Sequence, residues 1–283
     1  REVQLHLARA LVGEKRYAEA KRQFELLLQA YPNNPDVVYP VALLALQEND
    51  QALAEAQLKH LVTLEIPDKS APYFYLGQLA DENKRPQEAL DYYRQVGAGE
   101  HYLPAQLRSA GILAKQGKLD EARAELRAAA ERSPKQRVQF TIAEAALLRD
   151  AKQTEAALDL LEQALRAEPG QPDLLYESAL LAEKLGRLEV MESRLRKLIE
   201  IQPEGAQAYN ALGYSYADRK LRLPEAQQLI EKALQLAPND PFILDSMGWV
   251  LYRQADLHSA LAHLQRAYAL RREPEIAAHL GPV

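Results

Sequence analysis

Apolar residues along this chain recur every three or four positions, the spacing of helices that bury one face, rather than in the alternation of strands. The pattern is sharpest between Ala206 and Arg272, where one motif occurs twice. Tyr209, Leu212, Gly213 and Tyr216 are followed by Ala226, Ile230, Ala233 and Pro238. Leu244, Met247, Gly248 and Leu251 are then followed by Ala260, Leu264 and Ala267. Each copy predicts two antiparallel helices, with large residues on the first and small ones where the two cross closely. Such a pair cannot bury its apolar face alone, so one copy implies neighbours.

Looser copies fill the rest of the chain. Leu7, Ala8 and Leu11 precede Ala20, Phe24 and Leu27; Val38, Val41, Ala42 and Ala45 precede Leu58 and Leu61. Asn34 is a good helix cap and Pro35 a good first-turn residue, so a repeat starts there. The prolines at 32, 67, 134, 169, 203 and 238 are 35, 67, 35, 34 and 35 residues apart, so one closing proline is missing. In its place stands Gly97-Ala98-Gly99, which predicts a kink or a loosened junction. A period of 34 residues with these small and large positions is the tetratricopeptide pattern. The predicted fold is all-α, a tetratricopeptide-repeat right-handed superhelix (α-solenoid). The predicted repeats are 1–34, 35–69, 70–102, 103–137, 138–171, 172–205, 206–240 and 241–274, with the first-helix register of the fourth left open. Residues 275–283 read as the start of a further helix, cut short. That, and an Arg inside a helix pattern at position 1, predict a piece of a longer array whose signal or lipid anchor lies upstream.

Composition narrows the function classes. Hydrophobic residues make up 47% and charged residues 27%, a folded rather than disordered balance. A net charge of -5 argues against a nucleic-acid surface. No apolar run reaches the ~18 residues of a membrane span, so any membrane contact is expected only through a lipid anchor outside this chain. There is no Cys, which removes disulfides and thiolate chemistry. His258 and His263 stand on different sides of a helix, so they do not pair on a metal. Gly97-Ala98-Gly99 lacks the third Gly and the preceding strand of a dinucleotide fingerprint. The acidic residues sit among helical Lys and Arg as surface pairs. No catalytic residue, metal site or cofactor is expected, and the chain reads as a non-enzyme.

Binding is then the expected function, on the face lined by the first helix of each repeat. Its inward positions are the second, fifth, ninth, twelfth and thirteenth of each repeat. They give Tyr39, Leu43, Phe74, Gln78, Ile142, Tyr176 and Leu180. The last two repeats add Gln207, Asn210, Tyr214, Asp218, Phe242, Asp245, Trp249, Tyr252 and Arg253. Aromatic anchors with a few polar groups suit a protein partner; the alternative is that the aromatics pack between repeats. Chaperone-binding tetratricopeptide domains clamp a carboxylate with Lys and Asn at such positions. Only Asn210 fits that pattern, so no clamp is expected. Self-association through an exposed terminal helix stays open.

Longer words are more specific than the repeat. They are the run from Asn210 to Arg219, Pro238-Asn239-Asp240-Pro241, the run from Asp245 to Arg253, and the run from Pro274 to Gly281. Together, over about 75 residues, they resemble the C-terminal half of a family of large proteobacterial tetratricopeptide lipoproteins. That family includes the lipoprotein binding partner (adaptor) of a carboxy-terminal processing protease. The resemblance implies an adaptor on the periplasmic face of the outer membrane, joining the serine protease to peptidoglycan cross-link hydrolases and promoting their degradation. The alternative is a generic peptide- or helix-binding module of another assembly or secretion complex, cytoplasmic included. The words carry no contact residues; Leu212, Gly213, Met247 and Gly248 are fold positions.

Overall fold

The computed structural model describes residues 2–281; the expected helix pattern at Arg1 and the last two positions of the closing segment lie outside the described residues. Among the described residues the chain forms seventeen α-helices and no strand. They are α1 (Glu2–Gly13), α2 (Tyr17–Ala30), α3 (Pro35–Gln47), α4 (Gln51–Thr63), α5 (Ser70–Glu82) and α6 (Pro86–Tyr93). Next come α7 (Tyr102–Lys115), α8 (Leu119–Arg132), α9 (Arg137–Asp150), α10 (Thr154–Ala167), α11 (Pro172–Lys184) and α12 (Leu188–Ile201). The last are α13 (Ala206–Asp218), α14 (Leu223–Leu236), α15 (Pro241–Arg253), α16 (Leu257–Leu270) and α17 (Pro274–Leu280). Contacts group them into two compact units, Arg1–Ala143 and Glu144–Val283, with the boundary inside α9.

The helices start where short-range chemistry supplies their unpaired N–H groups. Before α3, α11 and α15 the side chains of Asn34, Gln171 and Asp240 accept hydrogen bonds from first-turn amides, and a Pro follows at the first helical position. The first helix of a pair ends on one left-handed residue: Lys15, Asn49, Lys84, Gly117, Lys152, Gly186, Lys220 and Ala255 all have positive φ. Around Lys15 the amide of Arg16 donates to the Leu11 carbonyl at 2.9 Å and that of Lys15 to Val12 at 2.9 Å. These are the paired bonds of a Schellman stop, and they turn the chain directly into the second helix. Only two of the eight positions are Gly.

Packing within a pair follows the small-residue positions. Ala20, Ala54, Ala89, Ala122, Ala157, Ala226 and Ala260 are all fully buried on second helices, while the sixth pair has Met191 there. Facing them, Gly77, Gly213 and Gly248 leave no room for a methyl group. An added Cβ would lie 2.5 Å from the Tyr93 ring, 2.6 Å from Ile230 Cγ1 and 2.5 Å from Leu264 Cγ, respectively. In the first unit Leu5, Ala8, Leu11, Phe24, Val37 and Val41 share one apolar cluster. Leu5 fills the place expected of Leu7, which is 48% exposed, because Leu5 is the residue one turn before Ala8 on the buried side.

Two features of the junctions and the surface extend the sequence reading. At Gly97-Ala98-Gly99 the second helix α6 stops early, and the chain crosses to α7 through this segment, held by a 3.1 Å hydrogen bond from the Gly97 amide to Ser70 Oγ. Many surface ion pairs also join neighbouring repeats rather than turns of one helix. Arg85 chelates Glu55 at 3.0 and 2.8 Å, and Arg196 reaches Glu225 at 2.6 Å. Arg187 meets Glu155 and Arg194 meets Glu162 in the same way. Holding Arg85 and Lys59 against it depresses the Glu55 carboxyl to about 2.

Candidate functional site

First helices carry their fifth and ninth positions on one face, and in the second unit this face lines an open cavity of about 570 Å³. Four helices build it. α11 contributes Tyr176, Leu180 and Glu183, and α13 contributes Asn210, Ala211 and Tyr214. α15 contributes Phe242, Asp245 and Ser246, and α17 contributes Glu275, Ala278 and His279. Tyr176, Asn210, Asp245 and His279 are 34, 35 and 34 residues apart, so they are one repeat position met four times. The helical repeat thus sets four unlike side chains in a row across the cavity wall.

The row is polar and acidic at its centre. Asp245 is buried, and its Oδ2 lies 2.8 Å from His279 Nδ1. Asp245 Oδ1 and Asn210 Oδ1 are buried without a hydrogen-bond partner among the described residues. Glu183 is held by Arg219 at 3.1 Å. The Tyr214 hydroxyl is pushed up to about 12, first by burial and then by the negative field of Asp218, Asp245, Glu275 and Glu183. Burial likewise raises Tyr176.

Of the residues that sequence reading placed on this face, Tyr176, Asn210, Tyr214 and Asp245 come together in the cavity wall, with Leu180 and Phe242. Trp249, Tyr252 and Arg253 do not line it. Trp249 stacks on His279 with ring centroids 4.3 Å apart and on Tyr252 at 5.2 Å, and the Arg253 guanidinium lies 4.4 Å from its centroid. Its indole N–H donates to Asp218 Oδ1 at 3.3 Å, and Arg253 donates to the Asp218 carbonyl at 3.0 Å. The Trp249 ring, expected to be open to a partner, is therefore taken up by its own chain. These contacts tie α17 to α15 and α13.

In the first unit Tyr39 lines a separate 210 Å³ cleft with Pro35, Leu61 and Pro72. Leu43 and Gln78 are half-buried. Phe74 is not on an open face: it is 7% exposed, because the early end of α6 lets His101 stack on it at 5.0 Å beside Tyr93. It is a packing residue.

Glu183, Glu275 and His279 were not foreseen as part of the site. The signal for His279 was present, since it stands one 34-residue period after Asp245. Among the described residues no group of three or more His, Asp or Glu comes together as metal ligands, and no helix is long and apolar enough to cross a membrane.

Comparison with known proteins gives family models described as tetratricopeptide repeat over residues 2–34, over 39–102 and 142–190, and over 82–145. The chain is 45% identical over 211 residues to the TPR repeat-containing protein PA4667 of Pseudomonas aeruginosa. That match covers 75% of this chain and 36% of the relative, so the chain spans little more than a third of the relative's length. Among solved structures, a tetratricopeptide repeat protein from Parabacteroides merdae aligns with a TM-score of 0.57 at 17% identity, over 87% of this chain and 97% of its own. The C-terminal part of a TPR repeat-containing protein from Cytophaga hutchinsonii aligns at 0.51 and 17% identity, over 98% and 99%. At these identities the structural matches speak for the fold.

Proposed function

Because this chain belongs to the tetratricopeptide-repeat family, with that family's all-α solenoid fold, we propose that it is a non-catalytic adaptor that holds a protease and its substrate together. The observation that carries a binding role is the cavity of the second unit. Four first helices present the same repeat position to one 570 Å³ space, whose wall mixes aromatic rings with acidic side chains. Aromatic anchors beside polar groups are the lining of a protein-binding surface.

The finer reading comes from the words at the end of the chain. The runs from Asn210 to Arg219 and from Asp245 to Arg253 resemble the proteobacterial lipoprotein adaptors. The 45% identity to a TPR repeat-containing protein of Pseudomonas aeruginosa supports the tetratricopeptide part of that reading. On this reading the partners are a carboxy-terminal processing protease and peptidoglycan cross-link hydrolases, and the place is the periplasmic face of the outer membrane, reached through a lipid anchor outside this chain. The physical gain is effective concentration: bound to one scaffold, protease and hydrolase meet at a local concentration set by geometry, and no new chemistry is required.

The test is a cleavage assay. Purified carboxy-terminal processing protease and a peptidoglycan hydrolase are mixed with and without this chain. Faster loss of the hydrolase supports the adaptor. An unchanged rate, with neither protein co-migrating with the chain, overturns it.

A further inference from the structure

The cavity has a polarity that holding a partner does not by itself require. The carboxyl side chains of Glu183, Asp245 and Glu275 line it, and Asp245 is only 7% exposed. A carboxylate accepts hydrogen bonds and donates none, so the occupant that fits brings N–H groups and few acceptors.

Charge points the same way. Glu183, Asp245 and Glu275 all line the space; among the described residues Arg219 pairs with Glu183, and the His279 ring lies 2.8 Å from Asp245. Aromatic rings complete the wall. Tyr176, Tyr214 and Phe242 offer π faces, and the Phe242 ring already takes the guanidinium of Arg271 at 5.1 Å. A guanidinium or ammonium head has the donors, the charge and the affinity for ring faces that this wall asks for; a carboxylate has none of them.

We propose that the cavity between α11, α13, α15 and α17 receives an arginine or lysine side chain of a partner protein segment. The cationic head sits among Glu183, Asp245 and Glu275, and the aliphatic stem lies along Tyr176 and Tyr214. The 570 Å³ volume exceeds one side chain, so residues flanking the basic one rest on Leu180 and Ala211. This rests on the reading of the chain as a protein-binding scaffold and names the chemistry of what it binds.

The test uses the whole chain and an array of random decapeptides, acetylated and amidated so that no free terminus competes. Binders are resynthesised and titrated by the emission of Trp249, the single tryptophan, which stacks on the cavity residue His279. The expected result is a shared Arg or Lys at one position of the selected peptides. Replacing an Arg there by citrulline, which keeps shape and removes charge, weakens binding by about tenfold or more. The double variant Glu183→Gln with Glu275→Gln, which leaves the Asp245–His279 pair in place, weakens the arginine peptide by a larger factor than the citrulline peptide. Selected peptides without a basic position, or indifference to citrulline, overturn this proposal and leave the scaffold reading standing. So does an array with no binders if cleavage is still accelerated in the protease assay. Failure of both overturns the scaffold reading as well.

Discussion

Replacing Gly213 and Gly111 by alanine moves stability in opposite directions, although both residues lie inside helices. A Cβ at Gly213 would stand 2.6 Å from Ile230 Cγ1, 2.9 Å from the Ala226 carbonyl oxygen and 3.2 Å from Leu229 Cβ. The carbonyl and the Cβ belong to the fixed frame of α14, so relief requires the two helices to move apart. Overpacking of this kind costs about 1–3 kcal/mol. The better helix propensity of alanine returns about 0.8–1 kcal/mol. The clash with a backbone carbonyl puts the overpacking near the upper figure, so the net loss is about 2 kcal/mol for Gly213→Ala. Gly111, in α7, has nothing within 4 Å of its ideal Cβ, so only the propensity acts. Gly111→Ala is expected to gain about 0.8–1 kcal/mol. Urea unfolding followed by far-UV circular dichroism measures both, and Trp249 emission isolates the unit that holds Gly213. If Gly213→Ala is as stable as the parent, the close approach of α13 and α14 is wrong. If Gly111→Ala destabilises, the open space beside α7 is wrong.

His279→Ala removes the partner of Asp245 Oδ2 and the ring stacked on Trp249, leaving a buried carboxylate bare. A loss of about 1–3 kcal/mol is expected, with faster amide exchange in α17 and red-shifted Trp249 emission; unchanged exchange and emission would mean that α17 is not held there. Ala255 turns the chain at φ 67, where glycine escapes the left-handed penalty. Ala255→Gly should raise thermal stability by about 0.5–1 kcal/mol after the entropy of glycine is counted, and a lowered melting temperature would speak against that turn. Glu55→Gln loses the Arg85 and Lys59 contacts, about 0.5–1 kcal/mol at neutral pH for a partly exposed group. Because the folded carboxyl lies at about 2 against an ordinary 4.5, its contribution is fully present above 4.5 and fades as pH falls toward 2. Chemical denaturation across that window should show parent and variant converging; a constant gap would refute the ion pair.

The fold was legible where packing demands recur with the period. Gly213, Gly248, Ala226 and Ala260 are forced by helices that touch, and that constraint repeats wherever the pair does. The turns were less legible, because Lys15, Lys84, Lys152, Lys220 and Ala255 take a conformation usually signalled by Gly. In the site, Tyr176, Asn210 and Asp245 could be read from register alone. His279 continues that register beyond the last complete repeat, in a segment read only as a cut-short helix. The closure of Trp249 depends on His279 and Asp218, each about 30 residues away, so no local pattern announces it. Phe74 is buried by a ring from across a shortened helix, which periodicity alone describes as open.

The central claim, that a partner docks on the face built by successive first helices of the second unit, is tested most directly by photo-crosslinking. A benzophenone side chain is placed at Leu180, exposed in the cavity, or at Lys197, exposed on the second helix α12. Each variant is irradiated with the purified protease and hydrolase. Adducts from position 180 and none from position 197 are expected; adducts from position 197 alone would contradict the account.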